Sequence, residues 1–531
     1  IAGMQASLDL AEQGFRVYLV ESQSAVGGHM AQLDKTFPTN DCAMCNLSPK
    51  LVETGRHLNV EILTETEVVD VAGEAGHFTA TLLRRPRYVD SLKCVGCGDC
   101  AAVCPVTLPN EFDEGLSPRR AAFRLYPQAI PGAYAITKRG VAPCKNACPA
   151  ETSAQGYVAL IAQKRYAEAL EVIKQYNPFP ASVGRVCHHP CEANCARGRV
   201  DAPVAICHLK RFVADRWREA GEPVTPKPRK YDERIAIVGA GPAGLSAAHH
   251  LVQLGYGVTV FEALPVPGGM MRVGIPAYRL PRDVLEHEIG DILAEGVELR
   301  LNSPVRDLNA LFAEGYAAVF LAVGAHQPQE LGVPGERGTE GVRYGVAFLR
   351  AANLGETIGL GRRVIVVGGG NTATDAARTA VRLGARDVTL LYRRTRAEMP
   401  AHAREVEAAE AEGVKVELLT APVEVFRSDD LSRRLTGVRC VRMRLGEPDA
   451  SGRPRPVPIE GSEFVIEADV LIPAVAQAPE ISLLAPDHGL TITRWGTFAV
   501  DPDTLATNRP NVFAGGDAAR GPATLIEAIA H

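Results

Sequence analysis

The stretch RIAIVGAGPAGLSAAHHLVQLGYGVTVFEA, residues 234–263, leaves this chain few choices. An apolar, β-branched run (Ile235–Val238) enters Gly239-x-Gly241-x-x-Gly244, an amphipathic helical stretch follows, and a second apolar run ends in Glu262. That order dictates strand, tight turn, helix and parallel strand. Gly239 permits the turn, Gly241 lets backbone N–H groups approach a pyrophosphate, and Gly244 lets the helix lie close on the strand. The helix start favours phosphate charge, and Glu262 stands about 20 residues on, where an acid accepts hydrogen bonds from an adenosine ribose. The pattern specifies a Rossmann-like α/β dinucleotide fold.

The same grammar recurs in RRVIVVGGGNTATDAARTAVRLGARDVTLLYRRT, residues 362–395. A strand at 363–367 leads into Gly368-x-Gly370-Asn371-Thr372-Ala373, a helix, and a strand at 387–392. The acid is replaced by Arg393 and Arg394. A carboxylate repels a 2′-phosphate and a guanidinium binds one bidentately, so the expected ligand is NADP(H) rather than NAD(H). The rival reading makes one or both arginines solvated residues at the start of the next helix.

A third, partial copy opens the chain. In IAGMQASLDLAEQGFRVYLVES, Gly3 aligns with Gly244, Gly14 with Gly255, Val17 with Val258 and Glu21 with Glu262; further on, Gly27 and Gly28 align with Gly268 and Gly269. The initial strand and first glycines are missing. The sequence therefore reads as a piece cut within a motif, and its last residues, LIEAIAH, as a helix stopped partway.

At roughly 150 residues per domain, 531 residues suggest three or four units. Charged residues are 22% of the chain with both signs interspersed and a net charge of −5, so there is no basic stripe of the kind a nucleic-acid binder needs. No apolar run reaches the ~18 residues of a membrane span. Of the 13 cysteines, all but Cys440 precede residue 208, mostly in short-spaced groups. Such grouping suits metal or cluster ligation in a reducing, cytoplasmic setting better than a secreted disulfide scaffold.

Cys94-x2-Cys97-x2-Cys100-x3-Cys104-Pro105 is a ferredoxin-type run for a [4Fe–4S] cluster. In two-cluster ferredoxins the fourth cysteine serves the other cluster, and no second such run is present. Cys104 closes this cluster, or Cys42 and Cys45 take part. The latter pair reads as cluster ligands, as a thioredoxin-type redox disulfide, or as unrelated thiols. A second group comprises Cys144, Cys148, Cys187, Cys191 and Cys195, around an expected helix at about 153–175. Convergent thiolates there suit another [4Fe–4S] cluster, with zinc the rival on spacing alone. Cys207 reads as a spare, buried thiol. A Pro- and Lys-rich linker spans 220–234. Glu405, Glu407 and His402 read as an exposed helix face.

Two dinucleotide folds, the second nested in the first, resemble the flavin-dependent pyridine-nucleotide oxidoreductases. There the first fold holds FAD and the insert holds NAD(P)H. VFLAVGAHQP (319–328) and NVFAGGDAARGPATLIEAIAH at the end carry the likeness. It implies that Gly516 and Asp517 meet the ribityl or phosphate part of the flavin, and that the helix after Thr524 points at the isoalloxazine. Only Cys440 follows residue 208, so this module lacks the redox disulfide many members use, and its electrons should leave by the upstream clusters.

Residues 140–531 resemble the small (β) subunit of glutamate synthase and the N-terminal half of dihydropyrimidine dehydrogenase. GGMMRVGIPAYRLPRDVLEHEI (268–289), with Gly268, Gly269 and Arg272 at the cofactor, and YRRTRAEMPA (392–401) are close to that text. That family begins the cysteine region with a further CxxC, whose positions here fall near Ile136 and Arg139, so one cluster rather than two is expected. Residues 1–135, through FPTNDCAMCNLSPKLVE, KCVGCGDCAAVCP and PNEFDEGLSPRRA, resemble the iron–sulfur flavoprotein component of heterodisulfide reductase. That likeness implies a second flavin fold with a ferredoxin-like insert, here incomplete, with Gly3, Glu21, Gly27 and Gly28 at its cofactor.

The expected architecture is α/β: a partial FAD fold with a ferredoxin-like segment (1–137), a helical iron–sulfur domain (138–225), an FAD domain (226–338, closed by 474–531) and an inserted NAD(P)H domain (339–473). The expected function is an NAD(P)H-oxidising iron–sulfur flavoprotein carrying FAD, NADP(H) or NAD(H), and [4Fe–4S] clusters. It passes electrons to a partner subunit, heterodisulfide-reductase-like or a ferredoxin, and invokes no catalytic acid, base or nucleophile. Two alternatives stay open: the NADPH-oxidising donor of a glutamate-synthase-like enzyme, and a non-catalytic electron relay.

Overall fold

Strands buried on both faces read as unbroken apolar runs, and such runs form the centre of the larger, five-stranded sheet. A computed structural model describes the chain except Pro105, Arg139, Asp449, Ala450, Ser451, Glu480, Ser482, Leu483, Pro486 and Asp487. Pro105 of the ferredoxin run and the Arg139 position lie outside the described residues. By internal contacts the chain divides into two units, Ile1–Gly140 and Val141–His531.

In the second unit, strand Arg234–Val238 is central to a parallel sheet ordered Glu298–Arg300, Gly257–Phe261, Arg234–Val238, Ala318–Leu321, Val512–Ala514. Val238 pairs with Phe261 on one side and Leu321 on the other. The chain leaves this sheet after Leu321 and returns at Val512, which pairs with Val319. On the way back Leu484, Leu490 and Phe498 already pack on this sheet's core, so the insertion is the shorter stretch between the two crossing segments. It holds its own four-stranded parallel sheet, ordered Lys415–Leu418, Asp387–Tyr392, Arg363–Val367, Val470–Pro473. Helix Asn371–Arg382 lays Ala373, Ala376, Ala377 and Ala380 on that sheet, and small side chains permit the close approach. An antiparallel sheet of Thr420–Arg427, Leu435–Pro448, Pro454–Pro458 and Phe464–Glu467 flanks it. The outgoing and returning segments pair antiparallel, Gln327 with Ala478 and Pro328 with Gln477.

Residues 141–221 are helical. The single helix expected at 153–175 is two, Ala154–Ala162 and Tyr166–Lys174. The break falls at Gln163–Arg165, where Lys164 takes a left-handed φ of 61°. The tie to the FAD-type fold is Glu288, on helix Arg282–Ala294. Its carboxylate accepts the backbone N–H of Ala181 (2.5 Å) and Ser182 (2.9 Å), at the start of helix Pro180–Val186. The linker is extended as expected and docks through Lys227 N–H to Glu295 and Lys230 N–H to Gly255.

In the first unit, helix Ala2–Glu12 precedes strand Val17–Val20, which pairs parallel with Val60–Leu63. Helix Ala43–Arg56 contributes Leu47 and Leu51 to a core with Met4 and Tyr126. The sequence repeat is a structural one. Glu21 N–H bonds Leu63 O and its carboxylate accepts Gln23 N–H, as Glu262 N–H bonds Arg300 O and its carboxylate accepts Leu264 N–H. Gly27 and Gly28 have φ of 117° and 62°; Gly268 and Gly269 have 112° and 51°.

Burial pushes the Glu288 carboxyl up to about 7 from 4.5. The native chain thus holds a proton that the unfolded chain releases, and this contribution to stability is full at low pH and is lost as pH rises through about 7. Denaturant unfolding at a series of pH values should show that slope reduced in Glu288→Gln. Glu288→Ala, which strands two N–H groups, should cost about 1–3 kcal/mol.

Candidate cofactor sites

At the first glycine turn, the backbone leaves no room for side chains. A Cβ on Gly239, whose φ is 109°, would stand 2.4 Å from the Ala322 carbonyl oxygen, and one on Gly244 would stand 2.0 Å from the Gly239 oxygen. A Cβ on Gly269 would meet the Gly241 Cα at 2.7 Å. Glu262 is buried; its carboxylate accepts N–H from Ala240 and Leu264, both at 2.8 Å, and burial raises its pKa. A cavity of about 200 Å³ runs along Gly239, Gly241, Glu262, Gly269, Arg350 and Asp517. It has the acid, the bare backbone and the helix start that a dinucleotide needs. Asp517 is pushed up to about 6 by burial and accepts the Ala523 N–H at 3.2 Å. Gly516 has a φ of 62° and a Cβ there would meet Ala243 Cβ at 2.7 Å. Gly268 lies behind Gly269, with Arg272 Cβ and Leu285 around it. Arg272 departs from expectation: its guanidinium pairs with Glu286, and it lines neither this cavity nor the next.

A second cavity of about 580 Å³ adjoins Pro242, Met270, Asp517 and Thr524 of the FAD-type fold, Asn371 and Thr372 of the inserted fold, and Cys187 and His188 of the helical segment. Thr524 caps helix Leu525–Ala530 in a capping box with Glu527. At the inserted glycine turn, a Cβ on Gly368 would stand 2.4 Å from the Ala474 oxygen and 3.0 Å from the Ala373 Cβ, while Gly370 opens on free space. Asn371 accepts the His402 N–H at 3.4 Å, and Thr372 accepts from Gln477 at 3.3 Å.

The two arginines after Tyr392 have opposite environments. Arg393 is exposed and lines an open cleft of about 800 Å³ together with Arg444 and Arg455 from the antiparallel sheet; Glu447 is the carboxylate on its wall. Arg394 is 6% exposed and donates to the Pro454 carbonyl at 2.8 Å, so it fixes the hairpin that carries Arg455 while also lining the cleft. Arg444 and Arg455 were invisible to motif reading, since they lie far along the chain from Arg393. Glu405 also departs from expectation. It is a partly buried partner of Arg279 and Arg378, not a solvated face residue.

The cysteines of the helical segment gather around Tyr157, which is 1% exposed and donates to the Ile206 carbonyl at 3.1 Å. Cys191, Cys207, Cys148 and Cys144 all act electrostatically on its phenol. Burial raises the Cys144 thiol and pushes Cys191 up to about 12, while a hydrogen bond from Cys207 brings Cys187 down to about 5. Cys195 acts on Cys144. The donor set is all thiol, which is the chemistry an iron–sulfur cluster takes.

In the first unit Cys94, Cys97, Cys100 and Cys104 are free thiols. Gly96 and Gly98, with φ of 71° and 95°, shape their loop, and Cys94 sulfur accepts the Tyr134 N–H at 3.4 Å. Burial opposes ionisation of Cys104, but backbone bonds from Ala122, Val106 and Ala121 outweigh it and lower its pKa. Cys42 and Cys45 correct the ligand reading: their sulfurs are bonded to each other at the start of helix Ala43–Arg56, so neither is a thiolate free to bind iron. A cavity of about 650 Å³ is lined by Ser24 and His29, on either side of Gly27–Gly28, and by Tyr126. Glu21 stands at the strand end before it, and Gly3 lies in the helix over Leu19. Among the described residues no helix is long and apolar enough to cross a membrane.

Nested dinucleotide folds beside clustered thiols define an iron–sulfur flavoprotein oxidoreductase. Residues 233–531 match the family model of the pyridine nucleotide-disulphide oxidoreductases, and the chain belongs to that family. Residues 128–222 match dihydropyrimidine dehydrogenase domain II, 4Fe-4S cluster, and residues 87–106 a 4Fe-4S binding domain. FAD, NADP(H) and [4Fe–4S] clusters are the cofactors of this architecture.

The chain is 48% identical over 416 residues to the beta subunit of an NADP(+)-dependent formate dehydrogenase of Moorella thermoacetica, covering 73% of this chain and 58% of that one. It is 44% identical over 418 residues to the beta subunit of the NADPH-Fe(3+) oxidoreductase of Geobacter sulfurreducens, covering 73% and 62%. It is 37% identical over 410 residues to the glutamate synthase [NADPH] small chain of Azospirillum brasilense, covering 73% and 84%. The chain spans less than two thirds of the first two relatives.

Because a Cβ at Gly239 would overlap the Ala322 carbonyl, Gly239→Ala should cost more than about 2 kcal/mol. The purified variant should show a clearly reduced ratio of flavin to protein absorbance.

Proposed function

We propose that this chain is the NADPH-oxidising unit of a larger electron-transfer assembly, feeding a partner subunit through iron–sulfur clusters. The observation that carries the reading is the 580 Å³ cavity on which the FAD-type fold, the inserted nucleotide fold and the cysteine segment all border, through Met270 and Asp517, Asn371 and Thr372, and Cys187. FAD held there would supply the chemistry that matches a two-electron hydride donor to one-electron clusters. Around it, Gly239, Gly241, Gly244, Glu262, Gly268, Gly269, Gly516, Asp517 and Thr524 hold the flavin dinucleotide. Gly368, Gly370, Asn371, Thr372 and Ala373 receive the NADPH pyrophosphate. Arg393, with Arg444 and Arg455, takes the 2′-phosphate. A cluster beside the flavin draws its ligands from the group that includes Cys144, Cys148, Cys187, Cys191 and Cys195, and Cys94, Cys97, Cys100 and Cys104 supply another.

The boundaries proposed for these roles are 138–225 for the helical cluster domain, 226–338 with 474–531 for FAD and 339–473 for NADPH. The unit 1–137 fits a flavin fold like that of the heterodisulfide reductase flavoprotein, supported by the Glu21 and Gly27–Gly28 geometry it shares with the intact fold. A heterodisulfide-reductase-like subunit or a ferredoxin then suits the acceptor side, in the cytoplasm, where thiols stay reduced. The coverage of the glutamate synthase small chain favours a second reading, electron donation to an amidotransferase-type partner.

Anaerobic titration with NADPH and with NADH, followed by flavin bleaching and cluster EPR, tests the reading. NADPH should reduce both centres and be preferred. Arg393→Ala should raise KM for NADPH about 10–100-fold while leaving NADH unchanged. Equal reduction by NADH would remove the phosphate assignment, and reduction by neither would leave a relay fed by another protein.

A further inference from the structure

Cys207 reads as a spare thiol in the sequence, yet the fold brings it among the cluster cysteines. It stands in the first turn of helix Ile206–Ala220 and is 1% exposed. Its backbone N–H donates to the Glu192 carboxylate at 2.8 Å, which fixes it beside Cys191. Its sulfur lies 3.6 Å and 3.7 Å from the carbonyls of Val183 and Gly184, one turn before Cys187, and it shares a hydrogen bond with the Cys187 sulfur. Cys191 is in turn within electrostatic reach of Cys187 and Cys148. Cys195 and Cys148 both act on Cys144, but neither Cys144 nor Cys195 is among the groups acting on Cys187, Cys191 or Cys207.

A second observation points into the same place. Lys210, one helical turn beyond Cys207, is 7% exposed and has no carboxylate partner among the described residues. Its ammonium acts on Cys187, Cys191 and Cys207 together. A buried cation without an ion-pair partner is costly, and thiolates at those sulfurs offset it, together with the nearby Glu192 carboxylate. Four thiolates around an iron–sulfur cube carry the net negative charge that such a lysine offsets.

We propose that Cys148, Cys187, Cys191 and Cys207 are the four ligands of one [4Fe–4S] cluster, with Lys210 as its buried counter-charge, and that Cys144 and Cys195 are outside the set. The assignment rests on the reading of residues 141–221 as a cluster domain and names the ligands that reading left open. Assembly forms four Fe–S bonds and releases the protons that the four sulfurs still hold, the iron and sulfide being supplied preassembled or by reconstitution. Cys207 loses its S–H contacts to Val183 and Gly184 in the process, and Lys210 stabilises the thiolate that results.

Anaerobically purified full chain and its Cys207→Ala, Cys144→Ala, Cys195→Ala and Lys210→Gln variants test this by iron and sulfide per flavin and by EPR of the dithionite-reduced protein. Iron should fall by roughly half in Cys207→Ala, with loss of one of two cluster signals, and stay at the wild-type level in Cys144→Ala and Cys195→Ala. Lys210→Gln should keep its iron and lower the midpoint potential of that same signal, since a nearby positive charge favours the reduced cluster. This readout does not depend on Cys207→Ala folding. Unchanged iron and EPR in Cys207→Ala, loss of the signal in Cys144→Ala or Cys195→Ala, or an unmoved potential in Lys210→Gln overturns the assignment. A wild type holding iron for the Cys94–Cys104 cluster alone removes the underlying reading and the assignment with it.

Discussion

The parallel pairing of Val319, Phe320 and Leu321 with Val512, Phe513 and Ala514 is the contact on which the second unit depends. It makes one sheet from two distant stretches of chain and leaves the second dinucleotide fold as an insertion between them. Because the closing strand ends at Ala514, Asp517 and Thr524 arrive beside the glycine turn of the opening strand, and the flavin-type cavity is complete only then. The two crossing segments pair at Gln327–Ala478 and Pro328–Gln477, so the inserted fold hangs from a two-stranded ribbon.

A buried ion pair holds the insert to its host. Arg279, on the loop before helix Arg282–Ala294, bonds Asp375 at 2.7 Å in the first turns of the inserted helix. Asp375 is nearly fully buried, and burial pushes its carboxyl up to about 6 against the pull of Arg279. Removing either partner would leave a charge stranded, which is why such pairs register one element on another more than they stabilise the fold. Several arginines of the insert are matched: Arg378 and Arg382 to Glu412, Arg396 to Glu410, Arg439 to Glu424, Arg442 to Glu417. Arg393, Arg444 and Arg455 instead converge on one cleft, which Arg394 and Glu447 also line.

The glycine turns, the strand limits at 363–367 and 387–392 and the nesting were legible because each rests on a few adjacent residues with steric needs of their own. The repeat of Glu21 on Glu262 was legible for the same reason, and the hydrogen bonds of the two acids match. Where the reading failed, the cause was a partner from elsewhere. Arg272 turns to Glu286, and Glu405 to Arg279 and Arg378. The expected single helix at 153–175 is split by the left-handed turn at Lys164, which no proline or glycine announces. Cys42 and Cys45 pair with each other, an outcome that spacing left open.

The sequence by itself determined that this chain builds dinucleotide folds and carries cluster-forming cysteines, because glycine spacing and thiol spacing are local properties of the backbone. Only the tertiary structure decided which residues meet. It set Cys207 and Lys210 beside Cys187 and Cys191, and it set Arg444 and Arg455 beside Arg393. Those neighbours come from different helices and strands, and their distances are fixed by packing and by sheet register, neither of which a local motif encodes.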